Sequence, residues 1–164
     1  MTDFQLIPEE KYKEVAQKTN LNSCLRNFFT HMDSVEQLRP ILEQAENARL
    51  ELFDFNEVLN QSLAQDPYLN SLPLIFYQDR GSRNGSIFLR WKNLSVFPRL
   101  TGESAWYGFI QDPAVSKETK LRIIQGEKER LAYHMQMSSL GHMIKQISIC
   151  IDKIHALDEL EKKL

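Results

Sequence analysis

Ser116 is followed by 48 residues without a proline, and within them Tyr133, Met137, Leu140, Ile144, Ile147, Ile151 and Ile154 advance alternately by four and three. That alternation is the heptad pattern, which holds one apolar seam on one side of an α-helix. Met143, Cys150 and Leu157 widen the seam on one flank, as packing against more than one helix requires. An unbroken helix from residue 117 to 162 measures about 70 Å at ~1.5 Å per residue. A compact domain of 164 residues is only about 40 Å across. The helix therefore either breaks, at Gly126 or Gly141, or projects and pairs with another chain. The favoured reading is one long helix, kinked or tightly packed at Gly141. Ile144, Ile147, Ile151 and Ile154 are then the surface that meets a partner or a second copy in a homodimer, or, in a purely intramolecular bundle, a seam packed within the chain itself.

Upstream, residues 8–19 read as a first helix: Pro8 suits the first helical position, Glu9 and Glu10 the positive end of the dipole, and Asn20 stops it. Leu21, Cys24, Leu25, Phe28, Phe29 and Met32 also have helical spacing, so 21–32 is a short second helix or a continuation of the first. Asp33 or Ser34 caps a third, with Glu36 and Gln37 placed for a capping box. Pro40 either kinks that helix or marks a later start. Leu42, Ala45, Arg49, Leu52, Phe55, Leu59 and Leu63 then form an amphipathic stripe that Asp66-Pro67 ends.

From Leu72 the period changes. Leu72 to Gln78 and Ser86 to Lys92 are compact runs of β-formers, and the stretch Asp79 to Gly85 between them ends in Asn84-Gly85, a pair suited to positive φ. This is a β-hairpin. On its second strand Ile87, Leu89 and Trp91 share the inward face, and Phe88, Arg90 and Lys92 the outward one. A lone hairpin is marginal in water, so it must lie on the helices or gain another strand. A loop over 93–104 leads to a short helix, Ser104 to Ile110, and Asp112-Pro113 or Ser116 starts the last. The expected fold is α+β and mainly helical: helices packed with a central antiparallel β-hairpin, in the order α-α-α-β-β-α-α. The whole of 1–164 is expected to form a single domain.

Charge is spread unevenly over that order. Residues 1–71 balance at −6, residues 72–100 at +4 and residues 101–164 at 0, within a net charge of −2. Such asymmetry points the hairpin at an acidic or polyanionic partner. The hairpin and its flanks carry Arg80, Arg83, Arg90, Lys92 and Arg99 beside Phe76, Tyr77, Phe88, Trp91 and Phe97. Arginines neutralise phosphates, aromatic rings stack unpaired bases, and a two-stranded ribbon fits a DNA major groove. These five cations are the expected contacts to single- or double-stranded DNA. Against this, hairpin tips are ordinarily polar and solvated, and some of the rings belong in a core.

The chemistry of enzymes is not legible. His31, His134, His142 and His155 include no pair at i,i+4, so a helical zinc pair is absent. Gly102-Glu103-Ser104-Ala105-Trp106 lacks the final glycine and the strand of a nucleophile elbow. Gly81 and Gly85 are not followed by the Gly-Lys-Ser/Thr of a phosphate loop. Glu127 and Glu129, interleaved with Lys128 and Arg130, read as a solvated helical face. Neither enzymatic activity nor a cofactor is expected. The first residues have neither a basic nor an apolar stretch of the secretory kind, and no apolar run approaches the ~20 residues that span a bilayer. Cys24 and Cys150 lack metal-ligand spacing and read as reduced, buried thiols of a cytoplasmic protein with no membrane partner.

Three stretches carry a family likeness: Ile87-Phe88-Leu89-Arg90-Trp91-Lys92, the later Trp106, and Glu129 to Ser138. They resemble an uncharacterised family of accessory proteins encoded in bacterial integrating conjugative elements, some loosely labelled integrase regulators. In that family a Gly- and Thr-rich turn leads into a Phe-Leu-Arg-Trp strand, a Trp follows, and a helix carries Asn-Met-Gln-x-Ser. Here Phe88-Leu89-Arg90-Trp91 matches, as does His134-Met135-Gln136-Met137-Ser138 apart from His in place of Asn. The likeness covers about residues 74–155. It implies an accessory protein of a mobile genetic element, with DNA or another element-encoded protein as its partner. The family has no established activity, so it assigns no role to any residue.

Overall fold

A computed structural model describes residues 4–80 and 87–164. The elements follow the order α1 (Glu9–Lys18), α2 (Leu21–Phe28), α3 (Val35–Phe53), α4 (Phe55–Gln65), β1 (Leu74–Arg80), β2 (Ile87–Asn93), α5 (Glu103–Gln111) and α6 (Lys117–Glu161). The chain is mainly helical with one antiparallel hairpin, as its periodicities imply. The long amphipathic stripe before the hairpin is two helices rather than one, because the ladder is interrupted at Asp54. Pro40, by contrast, lies inside α3 without ending it. Six residues into the helix, its missing N–H forfeits only the bond to the Glu36 carbonyl in the first turn.

Where a single domain is expected, contacts divide the chain into two compact units: one holds the segment up to Pro8 and Asp54–Gln136, the other Glu9–Phe53 and Met137–Leu164. In the second unit Asn20 adopts the left-handed conformation (φ 47°), turning the chain from α1 into α2. The Gln37 side chain reaches back to accept the Asp33 and Ser34 amides at 3.0 and 3.3 Å, closing the start of α3. Leu38 and Ile41 of α3 and Ile147 of α6 are the buried centre, with Phe28, Met32, Met143, Ile151 and Ile154 packed around them.

The first unit is built on the hairpin. Leu59, Leu63, Phe76, Leu89, Trp91, Ile123 and Tyr133 are buried in it. Its N-terminal segment is tied down by Glu129, whose carboxylate accepts the Leu6 and Ile7 amides at 2.8–3.0 Å, while Ser62 donates to the Leu6 carbonyl at 2.6 Å. Asp66 accepts the Tyr68 and Leu69 amides on one oxygen and pairs with Arg122 through the other. The Arg122 guanidinium also lies over the rings of Phe4 and Tyr68, at 4.3 and 4.6 Å.

α6 starts where Ser116 accepts the Thr119 amide at 3.1 Å. It neither breaks at a glycine nor projects alone: the same helix serves one unit up to Gln136 and the other from Met137. The tightly packed glycine is Gly126 and not Gly141. A Cβ on Gly126 would stand 2.8 Å from Leu6 Cδ1 and 3.1 Å from Trp91 Cζ2, whereas nothing lies within 4 Å of one on Gly141. Of the residues expected to widen the seam, Met143 packs inward but Leu157 is exposed. Cys150 is a free, exposed thiol rather than a buried one, because it lies beyond the face that α3 covers. The Cys24 side chain lies outside the described part.

Candidate nucleic-acid interface

The hairpin register pairs Ile75 with Lys92, Phe76 with Trp91, Tyr77 with Arg90 and Asp79 with Phe88. Alternation then separates two faces. On the inner face Leu74, Phe76, Leu89 and Trp91 are buried, and the Phe76 and Trp91 rings meet at 3.9 Å. These two rings are core and are withdrawn from any ligand. The Trp91 indole N–H donates to Glu127 at 2.9 Å, and Glu127 holds Arg130 by two bonds of 2.8 Å. Arg130 in turn donates to the Leu89 carbonyl at 3.0 Å. Glu127, Glu129 and Arg130 are thus fastenings between α6 and its unit, not the solvated face their alternation of charge suggests. Spacing alone does not reveal that, since the partners lie far away in sequence.

Both edges of the hairpin are occupied. Asn60 of α4 accepts the Phe76 amide and donates to the Phe76 carbonyl, each at 2.8 Å. Along β2, Asn93 donates to Leu100 and Gly102 donates to Trp91, both at 2.9 Å, forming a short bridge at Thr101. Gly102 makes that bond with φ 67° and ψ −141°, a region open to glycine. The hairpin thus both lies on helices and gains a fragment of a third strand. Edge-to-edge pairing with another chain is blocked at these points.

The outer face carries Ile75, Tyr77, Asp79, Phe88, Arg90 and Lys92. Lys92 Nζ stands 5.1 Å from the centre of the Tyr77 ring, and the Arg90 guanidinium 5.9 Å from that of Phe88. Arg90 is exposed and forms a 3.2 Å ion pair with Asp79, both partners largely solvated. Phe88 is half-buried, its ring meeting the edge of His134 at 5.0 Å. Arg99 is exposed in the 94–100 segment, two residues after Phe97, which is 97% exposed. Among the described residues, Lys92 and Arg99 have no ion-pair partner. Arg80 ends β1; its side chain, Arg83 and the Asn84-Gly85 turn lie outside the described residues. Of the five cations expected to touch DNA, the structure thus sets Arg90 and Lys92 on one face and leaves Arg99 on a neighbouring loop.

Beside Phe88 and Arg90 opens a groove of ≈310 Å3 whose walls include Glu103, Glu127, Arg130 and His134. His134 is the lining residue that sequence reasoning missed. Burial first, then the positive charges of Arg130 and Arg90, hold its imidazole below the ordinary 6.5. A neutral His134 leaves the groove with two guanidiniums and two carboxylates, a balanced set and not a polyanion trap. Among the described residues no group of three His, Cys, Asp or Glu side chains is placed to hold a metal ion, and no helix is long and apolar enough to cross a membrane.

The second expected surface is placed differently. Ile144 and Ile147 are 8% and 3% exposed, and Ile151 and Ile154 are partly covered. The seam is occupied by α3 and the α2 end of its own chain, because Leu38, Ile41, Phe28 and Met32 supply the apolar partner that the heptad pattern demands. No family model matches this chain, and no curated protein or solved structure is detectably similar to it.

Proposed function

We propose that the chain is a non-enzymatic, nucleic-acid-associated accessory protein of a bacterial mobile genetic element, acting in the cytoplasm in the element's maintenance, transfer or regulation. The mobile-element part rests on the resemblance of Phe88-Leu89-Arg90-Trp91 and His134-Met135-Gln136-Met137-Ser138 to the conjugative-element family. The nucleic-acid part rests on one observation: the outer face of the hairpin sets Arg90 and Lys92 beside the Phe88 and Tyr77 rings. Cations next to rings are what an unpaired strand requires, phosphate meeting charge while a base meets a π face. Arg99 and the exposed Phe97 lie two residues apart in the neighbouring 94–100 segment, and Arg80 and Arg83 add charge by sequence.

The test is a titration of a labelled single-stranded oligonucleotide and its duplex across salt. Five phosphate contacts give a slope of log K against log salt of about −3.5 for the single strand and about −4.5 for the duplex. Arg90→Ala with Lys92→Ala is expected to weaken binding across all sequences and flatten that slope. No binding at ~50 mM salt overturns the reading. So does binding unchanged by both that pair and Arg80→Ala with Arg83→Ala.

A further inference from the structure

The groove beside the hairpin lies wholly within the first unit, and its charged groups differ in what they leave unused. Glu127 and Arg130 are engaged with each other: Glu127 accepts from Trp91 and twice from Arg130, which adds a bond to the Leu89 carbonyl. Glu103, in the first turn of α5, is exposed and has no hydrogen-bond or ion-pair partner among the described residues. Arg90 is tied through Nε to Asp79, an exposed pair that a ligand can displace. Phe88 and His134 set their rings at 81° to each other on the same groove. Gly102 contributes no side chain, and nothing stands within 4 Å of where its Cβ would be. The space, ≈310 Å3, is that of the smaller ligand sites.

Resting on the nucleic-acid reading above, we propose that this groove receives an unpaired guanine of a bound single strand, Glu103 accepting from its N1–H and N2 amino group and Arg90 donating to O6 and N7. The unused groups select the base. A carboxylate only accepts and a guanidinium only donates. Of the four bases, guanine alone joins two adjacent donors, at N1 and N2, to two adjacent acceptors, O6 and N7. Adenine and cytosine offer a carboxylate one amino group, and thymine one ring N–H. Phe88 and His134 supply rings for an unstacked base to lie against. Glu103 and Glu127 turn a phosphate away from the same space, which leaves the backbone to Lys92 on the hairpin's outer face.

The experiment uses the full chain and labelled oligothymidine strands carrying one central guanine, adenine or cytosine, read by fluorescence anisotropy at ~50 mM salt. The guanine strand is expected to bind about tenfold more tightly than the all-thymidine strand and than the other two. Hypoxanthine, which lacks the N2 amino group, and 7-deazaguanine, which lacks N7, should each forfeit part of that gain. Glu103→Gln, whose amide replaces one acceptor with a donor, should remove most of the guanine preference, whatever it does to overall affinity. Glu103 is exposed, and circular dichroism checks that the variant stays folded. Equal binding of all strands, preference for another base, or a guanine preference that Glu103→Gln leaves intact overturns the guanine site and leaves the nucleic-acid reading standing. Binding of no strand overturns both.

Discussion

The side-chain amide of Asn60 forms both hydrogen bonds that a neighbouring strand would offer Phe76, accepting its N–H and donating to its C=O at 2.8 Å each. A residue of α4 thereby stands in for a third strand at the edge of β1. The Phe76 side chain beyond it is 1% exposed and stacked on Trp91, so the strand is held in register at the point where its core contact is made.

Asn60→Ala strips both partners from part-buried backbone groups, a loss of about 1–3 kcal/mol. For a chain of this size each kcal/mol lowers the melting temperature by about 2–4 °C. Asn60→Asp is expected to be at least as harmful, since a carboxylate accepts the Phe76 amide but faces its carbonyl without a proton to give. Thermal melts of the two variants check this; an unchanged Asn60→Ala midpoint shows that the amide does not hold the strand.

The two glycines of α6 are expected to respond with opposite signs. Alanine at an open helical position gains about 1 kcal/mol over glycine, and Gly141 is open. At Gly126 the same methyl meets Leu6 and Trp91, both fully buried, and overpacking of that kind costs about 1–3 kcal/mol. Gly141→Ala therefore raises the denaturation midpoint and Gly126→Ala lowers it. Equal shifts would remove the close packing of Trp91 on α6 from the account of this fold.

The contrast between those glycines shows what the sequence carries. Periodicity located the helical stretches, both strands and the two faces of β2, though not the break that divides α3 from α4, because alternation and heptad spacing are properties of the element itself. Which glycine lies under Trp91 depends on a residue 35 positions away, and no local pattern records it. The same holds for Glu127 and Glu129: a charge run on a helix is usually solvated, and only the approach of Trp91 and of the Leu6 and Ile7 amides makes it structural. Of the hairpin cations, Arg90 and Lys92 were legible as outward because the strand alternates. That Phe88 beside them leans on His134 was not, since the contact crosses from β2 to α6.

The burial of His134, with Arg130 and Arg90 beside it, gives the folded state a pH dependence. An imidazole whose folded pKa lies below the ordinary 6.5 binds fewer protons folded than unfolded between the two values. Stability is therefore full above about 6.5 and declines as pH falls through that window to the folded value. NMR titration of His134 is expected to give a midpoint below 6.5. Arg90→Ala should raise it only part of the way, because burial is the larger cause and Arg130 remains. His134→Gln is expected to flatten the decline in stability over the same window. A midpoint unmoved by Arg90→Ala would show that the hairpin's outer face does not reach the groove electrostatically.

The isoleucine seam distinguishes a core from an interface by its concentration dependence. Ile147 is 3% exposed and packed between Leu38 and Ile41 of its own chain. Ile147→Ala should therefore cost about 2–5 kcal/mol, with a denaturation midpoint that does not move with protein concentration. Ile154, at the looser end of the same cluster, should lose less on the same truncation. If the seam instead joined two chains, the wild-type midpoint would rise with concentration, since anything that binds only the folded state stabilises it by mass action. A denaturant series at protein concentrations a hundredfold apart decides between the two, and a coincident pair of wild-type curves leaves Ile144, Ile147, Ile151 and Ile154 to the interior of one chain.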